Sequence, residues 1–198
     1  MSDRAVSVLR THDDRLIPVA GVYEIDGTHS AVEFVTRHLM ITEVRGRFKD
    51  VRGRITIAED PEGSYVEVEI GAASLDTGDR DRDAHLCSAD FLEVKRYPTI
   101  AFRSTSVRAL PNAVWAVVGD LTIRDTTQPA SLRVEFDGAG ESPLGEERIG
   151  FSAATEVTRG DFGLTWNQAL ETGGVLVANT VRIELAVQAI ATTRAAVT

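Results

Sequence analysis

The stretch VRIELAVQA, residues 181–189, alternates apolar and polar side chains along most of its length. Its odd-numbered positions are all apolar, whereas Arg182, Glu184 and Gln188 would lie on the opposite side of an extended chain. Successive side chains of a β-strand point to opposite faces, so this period of two is typical of a strand with one buried face. The stretch therefore predicts a strand between an apolar interior and water.

The same alternation recurs along the chain, in residues 31–39, 51–57, 65–72, 99–107 and 132–136. Segments rich in turn-forming residues separate these runs, at 59–63, 111–112, 126–129 and 137–145. About eight strands with regularly spaced turns favour an all-β sandwich or barrel. A closed barrel leaves no exposed sheet edge, and about eight strands can enclose either packed side chains or one small ligand.

Two segments break the alternation. Residues 79–93, DRDRDAHLCSADFLE, predict one short helix near 79–90 followed by a turn. Residues 159–177 predict a long loop with a helical turn. Long loops in compact domains are often functional, and we expect both segments to flank a barrel mouth.

Length and charge define the class of protein. A chain of 198 residues fits one barrel domain, over 21–191, with an N-terminal tail or arm over 1–20 and a C-terminal tail over 192–198. The net charge of −9 and the absence of a basic stripe argue against nucleic-acid binding. No signal peptide or apolar run of transmembrane length is visible, so we expect a cytoplasmic protein without stable membrane insertion. The oligomeric state stays open, a homodimer being one alternative.

A set of residues in the first quarter of the chain resembles the opening of the YceI-like proteins, lipocalin-like barrels that bind polyisoprenoid lipids. These residues are Asp26, His29, Ser30, Val32, Phe34, His38, Gly46, Arg47 and Phe48. The resemblance continues through Ser74, Asp76, Thr77, RDAHL (82–86), SADF (88–91), Tyr97, Pro98, Phe102, Ser104, GDLT (119–122), Arg159, Asp161, Phe162 and Gly163. The order of these motifs is more specific than any one of them, and the resemblance covers about residues 21 to 190.

The resemblance implies an extended, eight-stranded antiparallel barrel closed by a helix, with an isoprenoid chain in its lumen. It implies no established catalytic mechanism. A polyprenyl lipid or an isoprenoid quinone is the expected partner, and no other cofactor is expected. An apolar lumen suits such a chain on physical grounds, because each buried CH₂ group contributes about 0.8 kcal/mol.

The expected lumen residues are the inward-facing members of the strands. They are Val32, Phe34, His38, Phe48, Phe102, Leu121, Phe136 and Phe151. His38 is in phase with Phe34 and is a candidate for contact with a quinone oxygen. Candidate contacts at the mouth or with a head group are Asp83, His85, Asp161, Phe162 and Trp166. The alternative is that the lumen residues are the core of a filled barrel that serves as an interaction module.

Metal and catalytic sites are weakly indicated. Asp79, Asp81, Asp83 and Asp90 imitate the spacing of a calcium loop, but Ala84 stands where such a loop requires glycine. The step His85-Leu86-Cys87 has no matching second pair for zinc. We therefore predict no metal site and no catalytic residues. An enzyme that uses His38 or His85 as acid or base on a small apolar substrate remains the alternative function.

Overall fold

The computed structural model describes residues 8–39, 41–169 and 175–194. One α-helix, α1 (Arg80–Leu86), and three single 3₁₀ turns, Pro61–Gly63, Ala72–Ser74 and Arg159–Phe162, occur in this part of the chain. Nearly all remaining regular structure is strand. The strands are β1 (Leu9–His12), β2 (Arg15–Pro18), β3 (Gly21–Ile25), β4 (Ala31–His38), β5 (Thr42–Phe48), β6 (Val51–Ile57), β7 (Tyr65–Gly71), β8 (Leu75–Asp76), β9 (Thr99–Ala109), β10 (Val114–Ile123), β11 (Thr126–Glu141), β12 (Glu147–Thr158) and β13 (Thr180–Arg194).

Eight of these strands form a closed antiparallel ring. Around the ring the order is β3, β6, β7, β9, β10, β11, β12 and β13. Pairing of β12 with β13, from Arg148 opposite Ile190 to Thr158 opposite Thr180, closes it. The predicted eight-stranded antiparallel barrel with one short helix is confirmed.

The last strand of the ring pairs with two different partners on one side. The later half of β13 pairs with β3, and its earlier half pairs with β4. The β4–β5 hairpin therefore extends the wall on one side of the ring. We call the barrel end that carries α1 the upper end, and the opposite end, where the β9–β10 turn lies, the lower end.

Of the segments expected to be turns, 126–129 is strand, and 137–145 is strand as far as Glu141 and a turn after it. Residues 126–129 pair with β10, and the turn lies just before them, where Arg124 has a φ of 58°. Pro129 is tolerated because β11 pairs with β12 only from Arg133 onward, so a missing N–H on that side breaks no ladder bond. The strand also continues to Glu141, beyond the start of the predicted 137–145 turn.

Helix α1 begins where the acidic cluster predicted it. The Asp79 carboxylate accepts hydrogen bonds from the backbone N–H groups of Asp81 and Arg82, at 3.1 and 3.0 Å. It is an N-cap, which satisfies donors that have no partner inside the helix. Asp83 accepts from the backbone and the hydroxyl of Thr77, at 2.9 and 2.6 Å. Asp79 and Asp83, two of the four aspartates with calcium-loop spacing, are therefore hydrogen-bonded at the start of the helix.

The N-terminal arm contains a hairpin. β1 and β2 pair through a two-residue turn at Asp13 and Asp14, whose φ values of 47° and 59° fit the turn type that two-residue hairpins favour. Residues 1–7 of the predicted arm lie outside the described residues. At the other terminus β13 extends to Arg194, into the segment expected to be a tail, and residues 195–198 are outside the described part.

Candidate functional site

An apolar cavity of about 320 Å³ runs through the barrel. It extends from Ile17 and Trp115 at the lower end to Phe162 and Leu164 at the upper end. Its volume lies at the small end of the range for ligand pockets, about 300–1,000 Å³. Almost every lining side chain is aliphatic or aromatic, so the space is suited to an apolar molecule that needs no directional partners along its length.

The strand period of two determines which residues form the cavity wall. In the stretch 181–189, Val181, Ile183, Leu185 and Val187 all line the cavity. On β10 the lining residues are Trp115, Val117, Leu121 and Ile123. The eight residue steps from Trp115 to Ile123 span about 27 Å at about 3.4 Å per residue. With a strand tilt of about 40° this is about 20 Å along the barrel axis.

Seven of the eight predicted lumen residues line this cavity: Val32, Phe34, Phe48, Phe102, Leu121, Phe136 and Phe151. His38 is not among the described lining residues. It lies at the end of β4, where its backbone bridges to Val177, while Thr36 is the last side chain of the strand in the wall. A role for His38 toward a quinone oxygen has no support from this position.

Two aromatic side chains of the wall lie over glycines. The Phe34 ring covers Gly46 on β5, and a Cβ there would also meet the Thr77 methyl at 2.8 Å. The Phe102 ring covers Gly119 on β10, where a Cβ would meet the ring at 2.6 Å and the Ser104 Cα at 2.7 Å. Real Cβ atoms essentially never approach so closely. Without side chains, Gly46 and Gly119 let these rings lie against the wall, leaving space at the centre of the barrel.

Three aromatic rings pack together at the upper end. His85 packs edge-on against Trp166 and Phe91, with ring centroids 4.6 and 5.1 Å apart, and Trp166 lies 5.2 Å from Phe91. Phe91 lines the cavity, whereas His85 and Trp166 do not. The His85 Nε2 lies 3.0 Å from the Asp90 carboxylate. Helix α1 and the long loop thus meet above the cavity, as their predicted position at a barrel mouth implied.

The other predicted mouth residues occupy different positions. Phe162 is buried and lines the cavity. Asp161 is exposed, and its backbone oxygen accepts a hydrogen bond from the Gln128 amide at 3.2 Å. Asp83 is engaged with Thr77, as described above. Of the five predicted mouth residues, Phe162 alone is part of the described cavity lining.

Arg159 is the one Arg or Lys among the described lining residues, and the sequence analysis assigned it no role. Its side chain is 6% exposed. The guanidinium donates to the backbone oxygens of Ala178 at 3.0 Å, Leu164 at 2.5 Å and Trp166 at 2.8 Å. Burial lowers the pKa of Arg159, because it removes water from the charged form. Arg159 therefore fastens both arms of the long loop over the upper end.

The lower end is covered by the N-terminal hairpin, residues 9–18. Ile17 and Pro18 line the cavity, and Ile17 packs in a buried cluster with Val107, Trp115 and Val117. The sequence did not predict that the hairpin covers the lower end. The hairpin is rich in charged residues, which are typical of a solvated tail.

Cys87 is the single cysteine of the chain and is partly buried. Burial raises the pKa of the Cys87 thiol, which disfavours the nucleophilic thiolate. Among the described residues, no three His, Cys, Asp or Glu side chains are grouped to hold a metal ion. None of the described helices has the length and apolar character needed to cross a bilayer.

Comparison with known proteins agrees with this architecture. The sequence model of the YceI-like domain matches residues 23–189. A UPF0312 protein of Pseudomonas putida is 40% identical over 149 residues, which is 74% of this chain and 78% of that protein. A UPF0312 protein of Pseudomonas syringae pv. tomato is 38% identical over the same length and shares.

Solved structures give the same result for the fold. The Campylobacter jejuni YCEI protein superimposes with a TM-score of 0.67 at 28% identity, over 79% of this chain and 90% of that one. BcnA of Burkholderia cenocepacia gives a TM-score of 0.73 at 21% identity, over 83% and 98%. A polyisoprenoid binding domain from Saccharophagus degradans gives 0.62 at 17% identity, over 86% and 98%.

Proposed function

Because the chain belongs to the YceI-like family, we propose that its barrel binds one long isoprenoid-type lipid, a polyprenyl chain or an isoprenoid quinone, as a carrier or buffer. The observation that carries the proposal is the cavity itself, which is about 320 Å³ in volume, continuous between the two barrel ends and walled by apolar side chains. The polyisoprenoid binding domain of Saccharophagus degradans, which shares the fold, supports the choice of ligand class.

The shape of the cavity favours a chain over a compact ligand. A wall about 20 Å long suits a flexible hydrocarbon that extends along the axis. Each CH₂-sized group that leaves water for this space contributes about 0.8 kcal/mol, so affinity grows with chain length. The rings of Phe34, Phe48, Phe136 and Phe151 would contact the branched methyl groups along the chain.

The cavity wall offers a head group almost no polar surface. The Arg159 guanidinium donates to three backbone oxygens, and the Thr36 hydroxyl donates to another. An oxygen-bearing head group would be desolvated at low cost only near polar partners. At the upper rim such partners are exposed, since His85 and Asp90 are accessible to water there, whereas the buried Ile17 covers the lower end. We therefore place the head at the upper rim and the tail toward the N-terminal hairpin.

Two adjacent alanines on β12 provide a matched test. Ala153 lines the cavity, and Ala154, the next residue, is exposed on the outer face. Ala153→Phe should fill part of the lumen and lower the affinity for a fluorescent polyprenyl probe by at least about tenfold, or about 1.4 kcal/mol. Ala154→Phe, the same change on the opposite face, should bind as the parent protein does.

The measurement is a fluorescence titration of each delipidated variant, accompanied by a thermal melt to show that both are folded. Mass spectrometry of organic extracts of the purified parent protein identifies any lipid that it carries. Equal probe affinity in folded Ala153→Phe and Ala154→Phe proteins would place the binding site outside the lumen. A parent protein that binds no prenyl probe would favour the filled interaction module instead.

A further inference from the structure

The N-terminal hairpin, residues 9–18, closes the lower end of the barrel and continues the apolar surface of its wall. Ile17 is 3% exposed, although its short hairpin pairs with no other strand in the described part of the chain. Together with Pro18 it lines the cavity, and it packs against Val107, Trp115 and Val117. The hairpin therefore presents an apolar surface at the point that the end of an inserted chain would reach.

Two arginines fasten the hairpin to separate loops of the barrel rim. Arg10 donates to the backbone oxygens of Ala58 and Glu59, the latter at 2.7 Å, and pairs with the Glu59 carboxylate at 3.0 Å. Arg15 donates to the backbone oxygens of Leu110 at 2.6 Å and Val114 at 3.2 Å. The Arg15 guanidinium also lies 5.2 Å from the centroid of the Trp115 ring.

These contacts fix each strand of the hairpin to one of two neighbouring turns at the lower end. Arg10 reaches the turn between β6 and β7, and Arg15 reaches the turn between β9 and β10. Hydrogen bonds to a charged donor are stronger than neutral ones, and several of them here are partly buried. The hairpin also precedes the region that matches the YceI-like domain, residues 23–189.

We propose that the N-terminal hairpin sets the maximum length of the isoprenoid chain that the barrel accepts, with Ile17 as the residue that meets the chain end. This inference rests on the proposed lipid-binding function. Affinity rises with each added isoprene unit while the chain still finds apolar wall. Once the chain reaches Ile17, a further unit must fold back or leave part of the chain in water, and the affinity stops rising.

The chain offers a matched pair of variants for this test. Ile17→Ala shortens the side chain at the bottom of the cavity, and Leu16→Ala alters the neighbouring residue, which is 57% exposed. Displacement of a fluorescent prenyl probe by a series of prenols, from farnesol to undecaprenol, gives the dependence of affinity on chain length. We expect Ile17→Ala to raise the affinity for the longest prenols relative to the shortest by about tenfold, and Leu16→Ala to leave the series unchanged.

A second variant releases the hairpin without altering the cavity wall. Arg10→Ala combined with Arg15→Ala removes both anchors, and Arg52→Ala combined with Arg54→Ala removes two outward arginines of β6 as the control. In a Trp166→Phe background, Trp115 is the one remaining tryptophan of the chain. Acrylamide quenching of its fluorescence should increase in the first double variant and not in the second, and the first should also accept longer prenols.

The outcomes separate this inference from the proposed function. If all variants bind prenols with one common dependence on chain length, the hairpin does not limit the chain, although the barrel still binds lipid. The same conclusion follows if Trp115 becomes accessible to acrylamide while the length dependence stays that of the parent. If no folded variant binds any prenol, both the lipid-binding function and the role of the hairpin are wrong.

Discussion

Neighbouring residues of one strand have opposite surroundings in this barrel. Ala153 faces the cavity and Ala154 faces water, and the same alternation places Leu185 inside and Glu184 outside. The outward charges pair across strands, as in the Arg45–Glu184 contact of 2.8 Å. Exposed pairs of this kind contribute little to the free energy of folding, so the inward residues supply most of the stabilisation.

Arg159 departs from this pattern, because it is a buried cation in an apolar wall. Its guanidinium donates hydrogen bonds to backbone oxygens of the long loop. Arg159→Met keeps an unbranched apolar side chain in place of the aliphatic part of the arginine but leaves the oxygens of Leu164, Trp166 and Ala178 without this donor. Buried polar groups without partners cost about 1–3 kcal/mol each, so we expect the free energy of unfolding to fall by about 3 kcal/mol or more.

Urea denaturation measures that loss, and Arg108→Met, an exposed arginine of β9, is the control. Arg159→Lys should recover only part of the stability, because an ammonium group lacks the planar fork of a guanidinium. A stability of Arg159→Met equal to that of the control would mean that the three backbone bonds contribute nothing to the long loop.

For single residues, the sequence predicts which face of a strand a side chain occupies and little else. Period two places Phe34 and Phe48 on the inner face, and both line the cavity. The same reasoning placed His38 beside them, but the wall ends at Thr36 and the pattern carries no signal for where a strand leaves a barrel. The partners of Arg159 lie on a loop without periodicity, so no local pattern could have predicted them.

The wall has a break between β3 and β4, where β13 pairs first with β4 and then with β3. The carboxylate of Asp26 stabilises this break. Asp26 follows β3 directly, before β4 begins, and its side chain is 12% exposed. It accepts from the Arg148 guanidinium at 2.6 Å and lies 2.7 Å from the His29 Nδ1. Arg148 belongs to β12, so this contact fixes the break in the wall to a strand on the far side of β13.

The Arg148 guanidinium, with a smaller contribution from His29, holds the pKa of Asp26 far below its usual range. Because the pKa is lower in the folded state, the stabilisation is complete above the unfolded pKa of about 3.9 and is lost as pH falls toward the folded value. Asp26→Asn should therefore lower the free energy of unfolding near neutral pH by about 2 kcal/mol, typical of a hydrogen bond to a charged group.

The gap between the parent protein and Asp26→Asn should remain constant down to about pH 5 and narrow below about pH 4. Denaturation curves at several pH values and one ionic strength measure it. Asp120→Asn, an exposed carboxylate of β10, is the control and should give a much smaller gap. A gap for Asp26→Asn that is independent of pH would show that its charge does not contribute to folding.

Elements were predictable where composition and period agreed. The helix near 79–90 is present as α1, since acidic residues before a short run of helix formers are a local signal. The N-terminal hairpin was not predicted as structure, because Arg10, Asp13, Asp14 and Arg15 resemble a solvated arm. Its position depends on the backbone of Ala58, Leu110 and Val114, which are distant in sequence.

As a whole the molecule is a closed ring whose cavity exists only in the folded state. Closure depends on pairing of β12 with β13, and the lining residues come from strands throughout the chain. The alternating runs and their turns predict about eight strands but do not decide between a sandwich and a closed barrel. The family resemblance implied the closed barrel, and the structure adds which strands form the ring and what covers each end.

A ligand that binds only the closed ring must stabilise it by mass action. A long prenol at one hundred times its dissociation constant should add about 2.7 kcal/mol to the free energy of unfolding of the delipidated protein. For a domain of this size, each kcal/mol raises Tm by about 2–4 °C, so Tm should rise by about 5–11 °C. Differential scanning calorimetry at several prenol concentrations measures the shift, which should keep increasing after the site is saturated.

Phe34→Asp places a carboxylate in the apolar wall, where an unpaired charge is costly, so the Tm of this variant should respond little to the prenol. Arg37→Gln, an exposed change on the same strand, should respond as the parent does. If prenol raised the Tm of Phe34→Asp and the parent equally, the lipid would be bound outside the ring, and the cavity would have to be explained as the interior of a loosely packed core.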